Sequence, residues 1–416
     1  MKKLVFTEKD FLDLFDLPQV TYEEFLKKVC VLDVMDRSGS FVVRSNLNDF
    51  VDRVSKKDDR KNRLELYKRK LYQILVCDAK ATLQAWFASY GKLHESIEWY
   101  LNLPRNEILV NDVFAGNVNS KYGKICKNIN FENFYNTKKL YANDSEYTFG
   151  LMKVMFEEFK LRNSLIGPAF FDHVCSYEGN PKQFWLDFMI GANRASIFNP
   201  VTYHGILNSL FEGKVLFAPV MGWNAYQIAF YNSNFEKFIS TDVIPSVVEN
   251  GHLLQAEYDR INENSFFVDV SKTVDLYLCP SEKLEENYNF VAKYKNTVDA
   301  VLFSPPYFDL ELYPSENQSI DSFPDYSEWL KSYWEETVKL CIEVMKPGAR
   351  FGFVISNYKN RQGNQMTISQ DMRDVVAKYL TLDHSYRVRW SAISGSRQAK
   401  KTRDGNYEDL WLFVKK

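Results

Sequence analysis

From about residue 205 onward, short apolar runs alternate with segments of helical periodicity. Lys214–Phe217 (KVLF), Phe238–Thr241 (FIST), Val274–Cys279 (VDLYLC), Val298–Phe303 (VDAVLF) and Arg350–Ser356 (RFGFVIS) are β-rich and bounded by Pro, Gly, Asn or a charge. Strands buried on both faces of a parallel sheet have this texture. Between the last two runs, Leu330, Tyr333, Trp334, Val338, Cys341 and Met345 recur at spacings of three and four, one face of a helix. Asp325 with Glu328 is placed to cap its start and Pro347-Gly348 to stop it. His384–Ser391 and Tyr407–Lys415 flank a polar loop and predict an antiparallel hairpin. Strands alternating with helices and closing in such a hairpin predict a doubly wound α/β domain.

The first ~190 residues lack this rhythm. Leu64, Tyr67, Leu71 and Ile74 keep helical spacing within a predicted long helix from about 58 to 88. Elsewhere short amphipathic pieces are joined by Asn-rich loops such as Asn128–Asn136. The expectation is a mainly helical accessory domain over 1–190 and the α/β domain over 191–416, with the boundary inside 180–197.

Composition narrows the function classes. The 416 residues carry 52 Lys plus Arg against 54 Asp plus Glu, a formal charge of −2. That balance excludes a protein whose whole body neutralises phosphate, but not a local basic groove. The six cysteines (30, 77, 126, 175, 279 and 341) form no CxxC, and the five histidines lie far from any metal-ligand spacing. Neither a metal site nor a disulfide framework is expected, and a reducing compartment is. MKKLVFTEKDF meets Glu8, Lys9 and Asp10 before an apolar core develops, and no run approaches the ~18 apolar residues of a membrane span. A soluble cytoplasmic protein is the expectation.

The sharpest local signal is Ser304-Pro305-Pro306-Tyr307, directly after VDAVLF. Two prolines offer no N–H donors, end the ladder and force Ser304 into extended backbone. The result is a stiff turn at the carboxyl end of a strand, where open α/β sheets bind ligands. A serine hydroxyl, the Pro305 carbonyl and an aromatic ring suit a planar group bearing an exocyclic amine.

SPPY resembles the (S/D/N)PP(Y/F) motif of S-adenosylmethionine-dependent DNA amino-methyltransferases, which act on adenine N6 or cytosine N4. The order of surrounding elements resembles that family too, over about 198–416. Phe198-Asn199-Pro200 with the following His204–Leu210 is similar to its (F/H)xP-plus-helix element, implying cofactor contacts for Phe198 and Pro200. KVLFAPVMGWNAY, 214–226, stands where the family has a strand and a DPFxGxG loop. Pro219 and Gly222 match, Ala218 replaces the acid and Asn224 the last glycine. A full GxGxxG is absent, which disfavours a dinucleotide enzyme. Asp242, 20 residues after Gly222, is placed to accept hydrogen bonds from ribose hydroxyls or, alternatively, to cap a helix. Ser281, in CPSE, stands where the family contacts the adenine ring, and serves equally as a helix cap. MKPG with RFGFVIS and the terminal YEDLWLFVKK resemble the family's closing segments.

The resemblance implies a doubly wound, Rossmann-like methyltransferase sheet, S-adenosylmethionine as cofactor, and Ser304, Pro305, Pro306 and Tyr307 as the catalytic corner. The base must then be flipped out of a duplex or be single-stranded already. Between His384 and Arg403 stand Arg387, Arg389, Arg397, Lys400, Lys401 and Arg403 with no acid, a candidate surface for nucleic acid, DNA before RNA. A solvated hairpin loop is the alternative. Asp52–Lys70 holds nine basic residues against four acids, where an exposed charged helix is the first reading and DNA contact the second. Phe308, Asp309, Glu311 and Tyr313 read as a surface loop, with a base pocket or lid as the other possibility. A non-catalytic, nucleic-acid-binding or scaffold protein on a decayed methyltransferase fold is the competing function.

Overall fold

Five apolar runs of the C-terminal half become parallel strands. They are β1 (Val215–Ala218), β2 (Lys237–Asp242), β3 (Thr273–Leu278), β4 (Val298–Phe303) and β5 (Met345–Ile355). The hairpin supplies β6 (Thr381–Trp390) and β7 (Asn406–Val414). Their spatial order is β3-β2-β1-β4-β5-β7-β6, with β7 antiparallel to both neighbours. Two short strands, Leu109–Val110 and Val113–Phe114, extend the sheet beyond β6. The computed structural model describes residues 3–35, 41–54, 60–103, 109–110, 113–114, 120–139, 148–162, 168–181, 195–263, 271–360, 363–390 and 406–416.

The central strands are buried on both faces, as their continuous apolar runs require. Leu216, Phe217 and Ala218 of β1 and Val298, Ala300, Val301 and Leu302 of β4 have no exposed surface. Helices cover the sheet: α1 (Pro200–Leu210), α2 (Ala225–Tyr231), α3 (Pro245–Glu263), α4 (Glu336–Val344) and α5 (Ile368–Ala377). α1 starts where its sequence dictates. The Asn199 side chain accepts the Val201 N–H and Pro200 fills the first helical position. Trp334 anchors the packing between β4, β5 and α5. It touches Phe303 and Phe353 and donates its indole N–H to the Met372 carbonyl at 3.0 Å.

The segment between β4 and β5 departs from a single helix. Asp325 caps it as expected, accepting from the N–H groups of Ser327 and Glu328. The helix then runs as Tyr326–Trp329, a π-helical turn Leu330–Glu335, and α4. Pro347-Gly348 does not stop it. Met345 is already extended and pairs with Val298, so β5 begins before the Pro-Gly pair, and the ladder is irregular until Arg350 meets Ala300.

The chain divides into two compact units. One comprises Met1–Leu4, His94–Asn130 and Ser196–Lys416, and the other Val5–Leu93 and Phe131–Ala195. Residues 94–130 therefore group with the sheet, a correction to a linear division at 190. The second unit contains Arg60–Tyr72, a π-helical turn Gln73–Cys77 and Ala79–Tyr90 in place of one uninterrupted helix over 58–88. It also holds a three-stranded sheet of Cys30–Met35, Phe41–Asn46 and Lys160–Arg162, which the expectation of short helical pieces missed. Among the described residues no helix is long and apolar enough to cross a membrane. No cluster of His, Cys, Asp and Glu among them is arranged to hold a metal ion.

Candidate active site

The carboxyl ends of β1, β2, β3 and β4 open into one cavity. Its wall includes Phe198, Pro219, Gly222, Asp242, Ser281 and all of Ser304–Tyr307. The sheet order turns around between β1 and β4, the position at which doubly wound folds bind ligands. Pro200 is not in the wall. It is buried as the first residue of α1.

The bend after β1 is strained. Gly222, Trp223 and Asn224 are three consecutive left-handed residues, with φ of 54°, 59° and 64°. A Cβ on Gly222 would lie 2.5 Å from the Tyr226 ring, so only glycine fits. Asn224 takes the conformation that a glycine would otherwise supply, which asparagine tolerates better than most residues. Its buried amide donates to the Val247 carbonyl and accepts from the Asn130 amide, both at 3.0 Å. Asn130 also donates to the Trp223 carbonyl at 3.3 Å, fixing the bend from residues 94–130. Nothing in the local sequence of Asn130 signals this role. A left-handed tryptophan costs on the order of 1–3 kcal/mol, and such strain concentrates at functional sites.

Asp242 closes β2 beneath this bend. Its carboxylate accepts the Ile244 N–H at 3.0 Å and the Met221 N–H at 3.3 Å. Burial nevertheless pushes its carboxyl up to about 6, against the pull of these N–H groups and that of Val243. It holds the turn that leads into α3 through the Ile244 N–H, and it lines the cavity. Ser281 is buried with its hydroxyl within 2.8 Å of Thr337 Oγ1. The neighbouring Tyr333, read as helix core, reaches the same wall. Its buried hydroxyl, beside Ser281, makes no well-formed hydrogen bond among the described residues.

The proline corner follows β4. The Ser304 N–H donates to the Tyr226 hydroxyl at 2.9 Å, and no described group donates to the Pro305 carbonyl. The Tyr307 hydroxyl donates to Glu408 Oε1 at 2.9 Å and accepts the Ser356 N–H at 3.1 Å, which pins the ring within the wall. Burial and the Glu408 carboxylate hold that hydroxyl far above its ordinary pKa, so it stays protonated.

Several wall residues were not legible as such. Phe308–Tyr313 is not a surface loop. Phe308 packs on Tyr326 and Trp329, and Glu311 is buried in the wall, accepting from the hydroxyls of Ser196 and Tyr313. The Tyr313 ring lies 6.0 Å from Trp223. Tyr226 and Glu408 also line the cavity, where sequence marked one only as the end of the 214–226 strand-and-loop segment and the other only as part of the closing strand.

The basic residues are placed in part. Arg387 is exposed on β6, its guanidinium 5.8 Å from the Tyr407 ring. Arg389 lies on β6, with its side chain outside the described residues, and Arg397, Lys400, Lys401 and Arg403 lie wholly outside them. In the other basic stretch, Arg63 pairs with Asp172 over the Phe171 ring and Arg69 with Glu65, as a charged structural helix would.

No family model matches the chain, and no curated protein does. Solved structures overlap about half of it. TrmN from Thermus thermophilus is 13% identical over 53% of this chain and 49% of its own, with a TM-score of 0.32. The N-methyltransferase NodS from Bradyrhizobium japonicum WM9, in complex with S-adenosyl-L-homocysteine, is 8% identical over 49% and 78%, with a TM-score of 0.28. The [4+2]-cyclase SpnF is 12% identical over 54% and 84%, with a TM-score of 0.33. Overlaps of this size decide neither substrate nor reaction.

Proposed function

We propose that the protein transfers the methyl group of S-adenosylmethionine to the exocyclic amine of a nucleobase, cytosine N4 or adenine N6, in DNA. The observation that carries this reading is that the glycine-bearing bend and the proline corner wall one cavity. The residues present suit the cofactor. Asp242 supplies an acceptor for the ribose hydroxyls, the bend lets backbone approach without a Cβ, and the Tyr333 hydroxyl offers a buried polar contact. Ala218 leaves the end of β1 without a carboxylate, and its carbonyl accepts from Ser240 Oγ. When bound, the cofactor supplies an electrophilic methyl on a sulfonium, whose bond to sulfur breaks as the new N–C bond forms.

The chain's task is to make a poor nucleophile attack. An aromatic amine delocalises its lone pair into the ring. Accepting its two N–H groups at Ser304 Oγ and the Pro305 carbonyl localises that pair and favours the tetrahedral nitrogen of the transition state. Tyr307, anchored at its hydroxyl, offers a fixed ring face to hold the base in line. The amine proton becomes acidic as the methyl arrives and leaves to solvent, so no strong base is needed.

Asp242 gives the binding step a pH dependence. Its carboxyl titrates near 6, and only the ionised form is a full acceptor for two hydroxyls. Ligand bonds to the carboxylate lower its pKa, so binding releases a proton around pH 6 and tightens as pH rises through that value. Calorimetry should show cofactor affinity about tenfold weaker at pH 5 than at pH 7.5, and a flat profile in Asp242→Asn. A flat wild-type profile removes Asp242 from the site.

Incubation with tritiated S-adenosylmethionine and single-stranded DNA, duplex DNA or RNA, followed by nucleoside analysis, tests the reaction. N4-methylcytosine or N6-methyladenine in DNA is the expected product. Cofactor binding without label in any nucleic acid would favour a decayed fold that only binds.

A further inference from the structure

Tyr226 stands in the first turn of α2, directly after the strained bend, and closes the 214–226 segment without matching a motif position itself. Its surroundings fix it on every side. The ring lies across Gly222, where a Cβ would come within 2.6 Å of its edge carbon, and it stacks on Tyr203 with centroids 4.4 Å apart and planes at 21°. Tyr203 is itself tied to β4, donating its hydroxyl to the Leu302 carbonyl at 2.8 Å. The Tyr226 oxygen accepts the Ser304 N–H at 2.9 Å, and the Ser304 side chain faces the same oxygen. Both tyrosines thus brace the end of β4, but only Tyr226 lines the cavity and touches the corner.

Resting on the methyl-transfer reading above, we propose that Tyr226 is a positioning residue for that reaction, holding Ser304 at a fixed place relative to the Gly222 bend. The bend governs where the donor's methyl sits and Ser304 where the amine sits, so the ring between them sets the separation of the reacting atoms. Transfer needs those atoms about 3–3.5 Å apart and aligned. A tyrosine oxygen that occupies the Ser304 N–H also directs the serine hydroxyl's proton toward itself. Its lone pairs then remain for the incoming amine. Burial holds the Tyr226 hydroxyl well above its ordinary pKa, so it keeps its proton and this arrangement throughout the neutral range.

The test is single-turnover transfer at saturating cofactor with wild type, Tyr226→Phe and Tyr203→Phe, together with S-adenosylhomocysteine affinity and melting temperature. Tyr226→Phe should slow transfer at least about tenfold while changing affinity less than about threefold. Tyr203→Phe, which removes a comparable buried hydroxyl away from the corner, should lower the melting temperature and leave the rate within about threefold. A Tyr226→Phe rate equal to wild type overturns the proposal, as does an equal slowing in Tyr203→Phe, which would make the effect one of general stability. Absence of transfer by the wild type would instead fail the reaction itself, and the proposal with it.

Discussion

Ser304→Ala should lower kcat by about 10²–10³-fold while leaving S-adenosylhomocysteine affinity within about threefold. The substitution removes one of the two acceptors proposed for the amine and nothing that holds the corner's backbone. The Ser304 N–H keeps its bond to Tyr226, and Pro305 and Pro306 keep the turn. The lost interaction strengthens as the nitrogen becomes tetrahedral, so the deficit appears in kcat and kcat/KM together. Tyr307→Ala should cost a similar factor for a different reason, because it deletes the ring face and strands Glu408 and the Ser356 N–H around a hole. Steady-state and single-turnover rates at saturating cofactor check both. Wild-type rates in the two variants would place the chemistry elsewhere.

Gly222→Ala should nearly abolish cofactor binding. The new methyl would sit 2.5 Å from the Tyr226 ring at a backbone φ of 54°. Tyr226 cannot retreat freely, since Tyr203 stacks behind it and Ser304 holds its hydroxyl. Overpacking costs about 1–3 kcal/mol and the left-handed alanine about 1–2 more. The bend must open to relieve this, and it forms one wall of the cavity. The expected loss is at least about 100-fold in cofactor affinity, with a melting temperature lower by several degrees. Calorimetry and thermal unfolding measure the two separately. Asn224→Gly should be milder, since glycine also adopts this backbone and only the side-chain bonds to Val247 and Asn130 are lost.

Much of the sheet was legible in sequence because its strands announce themselves. VDAVLF is a strand over the same residues, Val298–Phe303, and β1, β2 and β3 begin and end within one residue of their apolar runs. Continuous β-branched and aromatic runs have few alternatives once both faces are buried. β5 was misjudged at its start, because Pro347-Gly348 reads as a helix stop although Val344 is already the last helical residue. The corner and the bend could be found because proline and glycine leave a backbone signature. Tyr226 and Glu408 could not, and Glu311 was reached only in the second reading of its segment, as base pocket or lid. Each enters the cavity wall through tertiary packing, and a tyrosine or glutamate at such a place looks like any other until distant strands converge on it. The grouping of 94–130 with the sheet rests on the same kind of contact, as when Asn130 reaches 93 residues along the chain to the Trp223 carbonyl.

The decisive measurement is a crystal structure of the full chain with S-adenosylhomocysteine. The ligand should lie across the ends of β1, β2 and β3, its ribose hydroxyls on Asp242. Its sulfur should face Ser304 and the Pro305 carbonyl, with space between for a methyl and an amine nitrogen about 3–3.5 Å apart. A ligand seated away from Asp242, a sulfur turned from the Ser304–Tyr307 corner, or no binding at millimolar concentration would contradict it.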